Sequence, residues 1–246
     1  MTDDTAAVLV VVMKVPTLNK SKTRLVPAYG PEGALELARA MVKDTLRRFA
    51  FEVPSTWRRI VYFAPTDAEP ELCRLLAEVE AEDAWERLPM RAHSGDLRSS
   101  DLGSVLRAGY EVVRDDRRST LFIGMDTPDL PLDAVLAAAR VARDDAAAVV
   151  LDATDGGYVL AALPAHCPSD VFFHVEWSTD HTADSQRARI RECGVPVSPA
   201  GFEPWEDVDD QTDVRSLAAR LAASPGLCPA LEKTISRLEG RADLTL

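Results

Sequence analysis

Apolar runs alternate with amphipathic segments along this chain. Residues 6–13 form a continuous, largely β-branched apolar run, which is typical of a central parallel strand buried on both faces. Pro31 begins a segment whose apolar positions recur at helical spacing as far as Phe49. The same patterns predict further strands at 59–64, 88–92, 121–125, 146–151, 158–163 and 195–198, and further helices at 69–79, 102–113, 132–143, 182–192, 214–222 and 230–238. This alternation predicts an α/β fold, a three-layer α/β/α sandwich around a doubly wound, mostly parallel sheet.

Length and composition narrow the class of protein. The 246 residues suit a single domain over 1–246, with a core at about 6–222 and a C-terminal helical extension at about 223–246. The net charge of −12 and the lack of a Lys/Arg cluster argue against nucleic acid and anionic membranes as partners. The four cysteines form no CxxC pair and we find no secretory leader, so reduced thiols and a cytoplasmic location are expected.

The segment 121–131, LFIGMDTPDLP, is the most informative part of the sequence. Its apolar strand breaks at Gly124 and delivers Asp126 to the carboxyl edge of the predicted sheet. Ligands of open parallel α/β sheets bind just beyond that edge, and a carboxylate there can hold a divalent cation against phosphate oxygens. The alternative is that Asp126 and Asp129 only cap the next helix.

Two further loops carry groups that suit phosphate and ligand binding. Lys22 and Arg24 follow the first strand and could cradle a diphosphate or triphosphate, or they could lie in a solvated loop. The glycines of a P-loop are absent, which excludes a Walker-type ATPase. After Asp155, two glycines allow a close approach to a ligand that the ring of Tyr158 could cover; the alternative is a simple hairpin turn.

The last notable segment is acidic. Asp207, Asp209 and Asp210 crowd three carboxylates into four residues, which is unfavourable unless a metal or a basic group compensates. A solvated loop that caps the following helix is the alternative. The four histidines show no metal-ligand spacing and no GxSxG elbow is present, so nucleophilic hydrolase chemistry has no support.

Together the motifs resemble one family. They are, in order, KTRL at 22–25, DLG at 101–103, GMDTPDLP at 124–131, DGGY at 155–158, EWS at 176–178 and DVD at 207–209. This set is similar to the glycosyltransferase-like family of nucleotide-diphospho-sugar transferase (GT-A-like, Rossmann-like) fold, the radical-SAM/selenodomain-associated transferase 1 family. Its relatives include 2-phospholactate guanylyltransferase and the molybdenum-cofactor nucleotidyltransferases. The resemblance extends over roughly residues 8–220.

The resemblance implies roles for individual residues. Asp126 and Asp209 would ligate Mg²⁺ or Mn²⁺, and Asp126 and Asp155 would be the catalytic carboxylates. The residues implied in nucleotide or phosphate binding are Lys14, Lys22, Arg24, Asp101 and Gly103, and those implied in acceptor or sugar binding are Gly156, Gly157, Tyr158 and Trp177. The expected partners are a nucleotide or nucleotide-sugar and a small-molecule acceptor.

One departure from the family pattern bears on nucleotide binding. The loop Pro16 to Lys20 lacks the glycine that family members carry ahead of KTRL, so its backbone is less free to present successive amides to a phosphate. We expect a metal-dependent, glycosyltransferase-like enzyme that uses a nucleotide-activated donor. Nucleotidyl transfer from a nucleoside triphosphate, a non-catalytic nucleotide-binding module and a plain interaction domain remain alternatives. The sequence leaves the base, the sugar, the acceptor and the oligomeric state undetermined.

Overall fold

A six-stranded sheet forms the centre of the molecule. The structure, a computed structural model, describes residues 6–90, 102–199 and 201–242. Its strands are β1 Val8–Lys14, β2 Arg58–Ala64, β3 Glu86–Pro89, β4 Thr120–Gly124, β5 Val149–Asp152 and β6 Tyr158–Leu163. Their order across the sheet is β3-β2-β1-β4-β6-β5, and only β6 runs against the others. The predicted mostly parallel sheet is confirmed.

Helices cover both faces of the sheet. They are α1 Val26–Phe51, α2 Glu69–Glu78, α3 Leu102–Val113, α4 Leu132–Asp144, α5 Thr182–Glu192, α6 Gln211–Ala223 and α7 Pro229–Ala242. Short 3-10 turns occupy Thr23–Leu25, Thr66–Ala68, Glu82–Ala84 and Ser169–Phe172. One apolar core joins the sheet to α1, α2 and α4, and a second core joins its other face to α3 and α5. The predicted α/β/α sandwich of three layers is therefore what forms.

The last two helices lie outside those layers. Apolar residues of α6 and α7 pack against the outer side of α1 in a third buried cluster, centred on Leu37, Met41, Leu217 and Leu231. Among the described residues, no helix combines the length and apolar character needed to cross a bilayer. None of the four cysteines forms a disulfide.

Several predicted elements differ from those observed. Helix α1 starts earlier than predicted, but its backbone is non-helical at Gly30, so the regular helix begins at Pro31 as the sequence indicates. The strand predicted at 195–198 is wrong: Val197 makes only one isolated parallel bridge, to Ala148. The predicted strand 88–92 is shifted to Glu86–Pro89, and its last two residues lie outside the described part of the chain.

The strand order places a crevice between β1 and β4. Strand β1 pairs with β2 on one side and with β4 on the other, so the chain leaves these two adjacent strands toward opposite ends of the sheet, to β2 and to β5. Ligands of open α/β sheets bind at such a switch point, beyond the carboxyl ends of the strands. Because β6 runs in reverse, its first residue, Tyr158, lies at this same edge.

Candidate active site

The loop after β1 delivers a buried lysine to the switch point. Lys22 adopts left-handed backbone angles (φ 48°, ψ 47°), a conformation that costs energy for any residue other than glycine and that clusters at functional sites. Asn19 also has a positive φ of 59°, so these two residues supply the turns of the glycine-free loop. The loop amides of Lys20 and Ser21 donate to the Thr17 carbonyl and are already used internally.

The Lys22 ammonium lies between two carboxylates. Its Nζ is 2.6 Å from Asp126 Oδ1 and 2.9 Å from Asp209 Oδ1, and it donates to the Val208 carbonyl at 2.5 Å. Burial alone would lower the pKa of Lys22, but the charges of Asp126 and Asp209 outweigh it, and the net pKa is raised. The lysine is therefore a fixed cation. Arg24 approaches the other oxygen of Asp209 at 3.2 Å and is largely exposed.

Contacts with distant residues hold the loop after β4, and neither of its aspartates caps α4. That helix begins after Pro131, with no side-chain cap, so the capping alternative for Asp126 and Asp129 is wrong. Asp126 pairs with Lys22 instead. Asp129 is buried, and its carboxylate accepts from Arg220 of α6 at 2.6 Å and from the Trp205 indole at 3.3 Å.

The carboxylates of the acidic segment 207–210 have different partners: one caps a helix and another pairs with the basic residues of the site. Asp210 caps α6 in a reciprocal box with Asp213, as the capping alternative expects. Asp209 faces Lys22 and Arg24, and its neighbour Val208 donates its backbone N–H to the Asp126 carbonyl at 3.0 Å, which ties this segment to the loop after β4. Burial raises the pKa of Asp207 to about 6, and the nearby charges of Asp155 and Asp209 add to the effect.

The DGGY segment is a hairpin turn, as its alternative reading predicts, and it also borders a pocket. It joins the antiparallel strands β5 and β6, and Asp155 Oδ1 accepts from the Gly157 N–H at 2.8 Å. Gly156 has φ +91°, and a Cβ there would lie 1.9 Å from the Asp180 carbonyl oxygen. The close approach that Gly156 permits is thus to the chain itself, at the segment preceding α5.

Two adjoining pockets open along this edge of the sheet. We call the first, of about 550 Å³, the basic pocket; among its described residues the charged side chains are Lys14, Lys20, Lys22, Arg24, Asp126 and Asp209. We call the second, of about 610 Å³, the aromatic pocket; it is bordered by Tyr158 and Trp177, whose ring centroids are 6.1 Å apart, and by Arg24, Asp155, Asp180 and Asp209. Arg24 and Asp209 border both pockets and mark where they meet.

The other residues that the sequence predicts for the site do not all border the two pockets. Gly157 borders the aromatic pocket, whereas Gly156 borders neither of the two pockets. Gly103 is buried in the first turn of α3 and borders neither pocket. Asp101, which the resemblance implies in nucleotide or phosphate binding, lies outside the described residues. Burial raises the pKa of Tyr158, so its hydroxyl stays protonated and donates to Gln186 at 3.3 Å.

The ligand atoms at the switch point are all oxygens, which hard cations such as Mg²⁺ and Mn²⁺ prefer. Three oxygens, from Asp126, Asp209 and the Val208 carbonyl, already converge on one positive charge. In the described part of the chain, no group of three or more His, Cys, Asp or Glu side chains could hold a metal by itself. Mg²⁺ is commonly bound by one or two carboxylates together with substrate phosphates, and two carboxylates meet that requirement.

Sequence reasoning missed two contributors. The Asp129–Arg220 pair links residues 91 positions apart, and Arg220 also pairs with Glu206. Nothing in the α6 pattern distinguishes this arginine from the others on the helix surface. Asp180 lies at the edge of the aromatic pocket only because the segment before α5 folds over Gly156, whose glycine is the one local signal of that contact.

Comparisons with known proteins bear on this geometry. A protein from Desulfovibrio desulfuricans G20, provisionally named a nucleotide-diphospho-sugar transferase, superposes with a TM-score of 0.77 at 21% identity, over 95% of this chain and 97% of that one. The 4-diphosphocytidyl-2C-methyl-D-erythritol synthase of Anaerococcus prevotii DSM 20548 superposes with a TM-score of 0.52 at 12% identity, over 88% and 98%. These likenesses show that the chain has the nucleotide-diphospho-sugar transferase fold.

Sequence comparison is less specific about activity. No curated protein matches the chain. Residues 55–179, half of the chain, match the DUF2064 family, which is described as uncharacterized protein conserved in bacteria. This range includes GMDTPDLP and DGGY but ends before the DVD segment that carries Asp209. On this match, the chain belongs to the DUF2064 family.

Proposed function

We propose that this protein is a metal-dependent transferase that uses a nucleotide-activated donor, with glycosyl transfer as its reaction. The observation that carries the proposal is the meeting of Lys22, Arg24, Asp126 and Asp209 at the switch point, between a basic pocket and an aromatic pocket. Cations on one side and apolar rings on the other match a substrate with an anionic part and an uncharged part.

The basic pocket would hold the phosphates of the donor. Lys14, Lys20, Lys22 and Arg24 border it, and their charges would neutralise the charge that develops on the departing nucleotide. Lys22 would contribute through its charge rather than by direct contact, because its three N–H donors are already taken by three protein oxygens. A divalent cation, when bound by Asp126 and Asp209, would supply further charge neutralisation to the phosphates.

The aromatic pocket would hold the group that is transferred or the acceptor. Tyr158 and Trp177 offer apolar faces, and Asp155 at the pocket edge would accept a proton from an attacking hydroxyl. One oxygen of Asp155 is oriented by the Gly157 N–H, which fixes the direction of the carboxylate. Tyr158 does not serve as a base, since burial raises its pKa.

Nucleotidyl transfer is the second candidate. The four cationic side chains of the basic pocket would stabilise a leaving pyrophosphate as well as a leaving nucleoside diphosphate. The two reactions release different products, so they can be separated by experiment.

A binding screen followed by product analysis tests the proposal. Thermal shift of the full chain is measured with UDP, GDP, CDP, ADP, their triphosphates and nucleotide-sugars, each with Mn²⁺ and with EDTA. We expect at least one nucleotide to raise the melting temperature in Mn²⁺ only, because a ligand that binds the folded state stabilises it by mass action.

The products then assign the reaction. Release of nucleoside diphosphate indicates glycosyl transfer, and release of pyrophosphate from a triphosphate indicates nucleotidyl transfer. Metal-dependent binding without either product would point to a non-catalytic nucleotide-binding module. If no nucleotide shifts the melting temperature under either condition, the proposal is wrong.

A further inference from the structure

The two pockets carry opposite charge. The described side chains of the basic pocket include four cations and two carboxylates, whereas those of the aromatic pocket include one cation and three carboxylates. Arg24, the single cation among the described residues of the aromatic pocket, is paired with Asp209 at 3.2 Å. A ligand that reaches from one pocket into the other therefore passes from a positive environment into a negative one.

Hydrogen-bond acceptors remain available at the edge of the aromatic pocket. One oxygen of Asp155 accepts from Gly157, and one oxygen of Asp180 contacts His181 at 2.7 Å. The second oxygen of each carboxylate makes no hydrogen bond or ion pair within the described part of the chain and can accept from a ligand hydroxyl. When protonated, His181 would offset the charge of Asp180, but Asp155 has no such partner among the described residues.

The remaining wall of the pocket suits the carbon framework of a sugar. Trp177 and Tyr158 are tilted at 55° to one another and present ring surface beside the apolar floor formed by Phe122 and Val12. The Trp177 indole N–H has no hydrogen-bond partner among the described residues and can donate to a ligand. Rings beside carboxylates bind groups that are apolar on one face and rich in hydroxyls at the edge.

We infer that the aromatic pocket takes an uncharged, polyhydroxylated group, the sugar of a nucleotide-sugar, and disfavours a group that carries a phosphate or a carboxylate. This inference rests on the proposed function, because it assumes that the basic pocket holds the phosphates. An anionic substituent would face Asp155 and Asp180 and would lose affinity to like-charge repulsion.

Matched nucleotide-sugars that differ by one charge test the inference. UDP-glucose and UDP-glucuronate differ only in the oxidation of C6, as do GDP-mannose and GDP-mannuronate. Dissociation constants are measured with the full chain at fixed Mn²⁺ and low ionic strength, beside those of UDP and GDP. Whichever of the two bases the protein binds, we expect the nucleotide-sugar with the neutral sugar to bind more tightly than the nucleoside diphosphate. We expect it to bind about tenfold more tightly than the matching nucleotide-uronate.

A charge-removing variant and its control locate the effect. At alkaline pH, where His181 is neutral, Asp180→Asn should narrow the gap between the neutral sugar and the uronate about threefold, because it removes one repelling charge from the pocket. Asp184→Asn is the matched control: this exposed carboxylate lies four residues further along, pairs with Arg187 and does not border the aromatic pocket. It should leave the gap unchanged.

Each remaining outcome overturns a stated claim. A uronate that binds as tightly as its neutral partner overturns the inference. A nucleoside diphosphate that binds as tightly as its sugar conjugate also overturns it, while the proposed function stands. If none of the nucleoside diphosphates and nucleotide-sugars of the screen binds, the proposed function fails and the inference fails with it.

Discussion

Lys22 is the residue on which the site is organised. Its left-handed backbone aims the side chain between Asp126 and Asp209, and only 8% of that side chain is exposed. Without this ammonium the two carboxylates would repel one another in a half-buried place. Lys22 therefore acts as an internal counter-ion, and a divalent cation that binds the same carboxylates has to compete with it.

Replacing Lys22 tests this competition. Lys22→Met keeps the length and apolar character of the side chain and removes the charge. We expect the variant to bind Mn²⁺ alone about tenfold more tightly, equivalent to roughly 1.4 kcal/mol, since the carboxylates lose their counter-ion. It should bind nucleoside diphosphate more weakly. Electron paramagnetic resonance of free Mn²⁺ gives the first value, and calorimetry gives the second.

Lys20→Met provides the matched control for that experiment. Lys20 borders the same pocket but makes no contact with Asp126 or Asp209. Its replacement should leave the affinity for Mn²⁺ unchanged. An unchanged Mn²⁺ affinity in Lys22→Met would mean that the metal does not use these carboxylates.

Asp126 is tested by a change of charge without a change of shape. In Asp126→Asn, Lys22 keeps Asp209 and the Val208 carbonyl, so we expect a loss of only about 1 kcal/mol of unfolding free energy without ligand. The metal-dependent thermal shift with nucleotide should disappear, because the cation loses one of its two carboxylates. Asp133→Asn, at an exposed position of α4, should retain that shift. If Asp126→Asn retained the shift, Asp126 would not be a metal ligand, and Asp155 and Asp209 would be the candidate ligands instead.

At the scale of elements, the sequence predicts what local pattern encodes. Apolar runs identify the strands around 121–125 and 158–163, and the position of Asp126 beyond a buried strand predicts its edge location. Strand direction is not encoded in such runs, so the reversal of β6 follows only from the hairpin signal after Asp155. Segment 195–198 has strand composition but makes a single bridge, because Pro196 has no N–H to donate and the Val150 carbonyl of β5 accepts from Arg187 instead.

Contacts between distant segments explain what the sequence could not predict about the site. Asp129 looks like a helix cap in the sequence, yet it pairs with an arginine in a helix near the other end of the chain. Such a pair depends on how α6 docks beside the loop after β4. Local patterns contain no information on docking. The position of Lys22, Arg24 and Asp126 at the edge of the sheet could therefore be predicted, but the contacts that support their loops could not.

The turn at Gly156 tests how the segment before α5 is positioned. Gly156→Ala forces a methyl group into the Asp180 carbonyl and also strains a backbone with φ +91°. Gly194→Ala introduces the backbone strain without the steric clash, since Gly194 has φ +78° and the space around it is open. We expect a loss of about 1 kcal/mol for Gly194→Ala and of several kcal/mol for Gly156→Ala, measured by urea denaturation. Equal losses would mean that the Asp180 contact adjusts freely.

At the scale of the whole molecule, one buried carboxylate joins the C-terminal helix to the sandwich. Asp44 of α1 accepts from the backbone N–H groups of Ala230 and Leu231, at 3.1 Å and 2.8 Å, in the first turn of α7. This caps a helix with a side chain that lies 186 residues earlier in the chain. Burial raises the pKa of Asp44 to about 6, against an ordinary value of 3.8.

The raised pKa makes the stability of the whole molecule depend on pH in a defined direction. Between pH 3.8 and about 6 the folded state binds more protons at Asp44 than the unfolded state, so the contribution of Asp44 to stability falls as the pH rises through that window. The full effect is on the order of 3 kcal/mol. Asp207, whose pKa is also raised to about 6, acts in the same direction.

Asp44→Asn separates the contribution of Asp44 from that of Asp207. The amide does not ionise, and its oxygen can still accept from one of the two N–H groups of α7, so the variant is expected to fold with a constant loss of stability. Unfolding free energies of both proteins are measured in urea from pH 4 to pH 7. Asp207 is present in both proteins, so its contribution cancels in the difference between their unfolding free energies.

We expect the native protein to lose more stability than Asp44→Asn as the pH rises, by an amount on the order of 3 kcal/mol, with most of the divergence before pH 6. Parallel pH profiles would show that Asp44 titrates alike in the folded and unfolded chains, and the cap on α7 would then be made by an ordinary, ionised carboxylate.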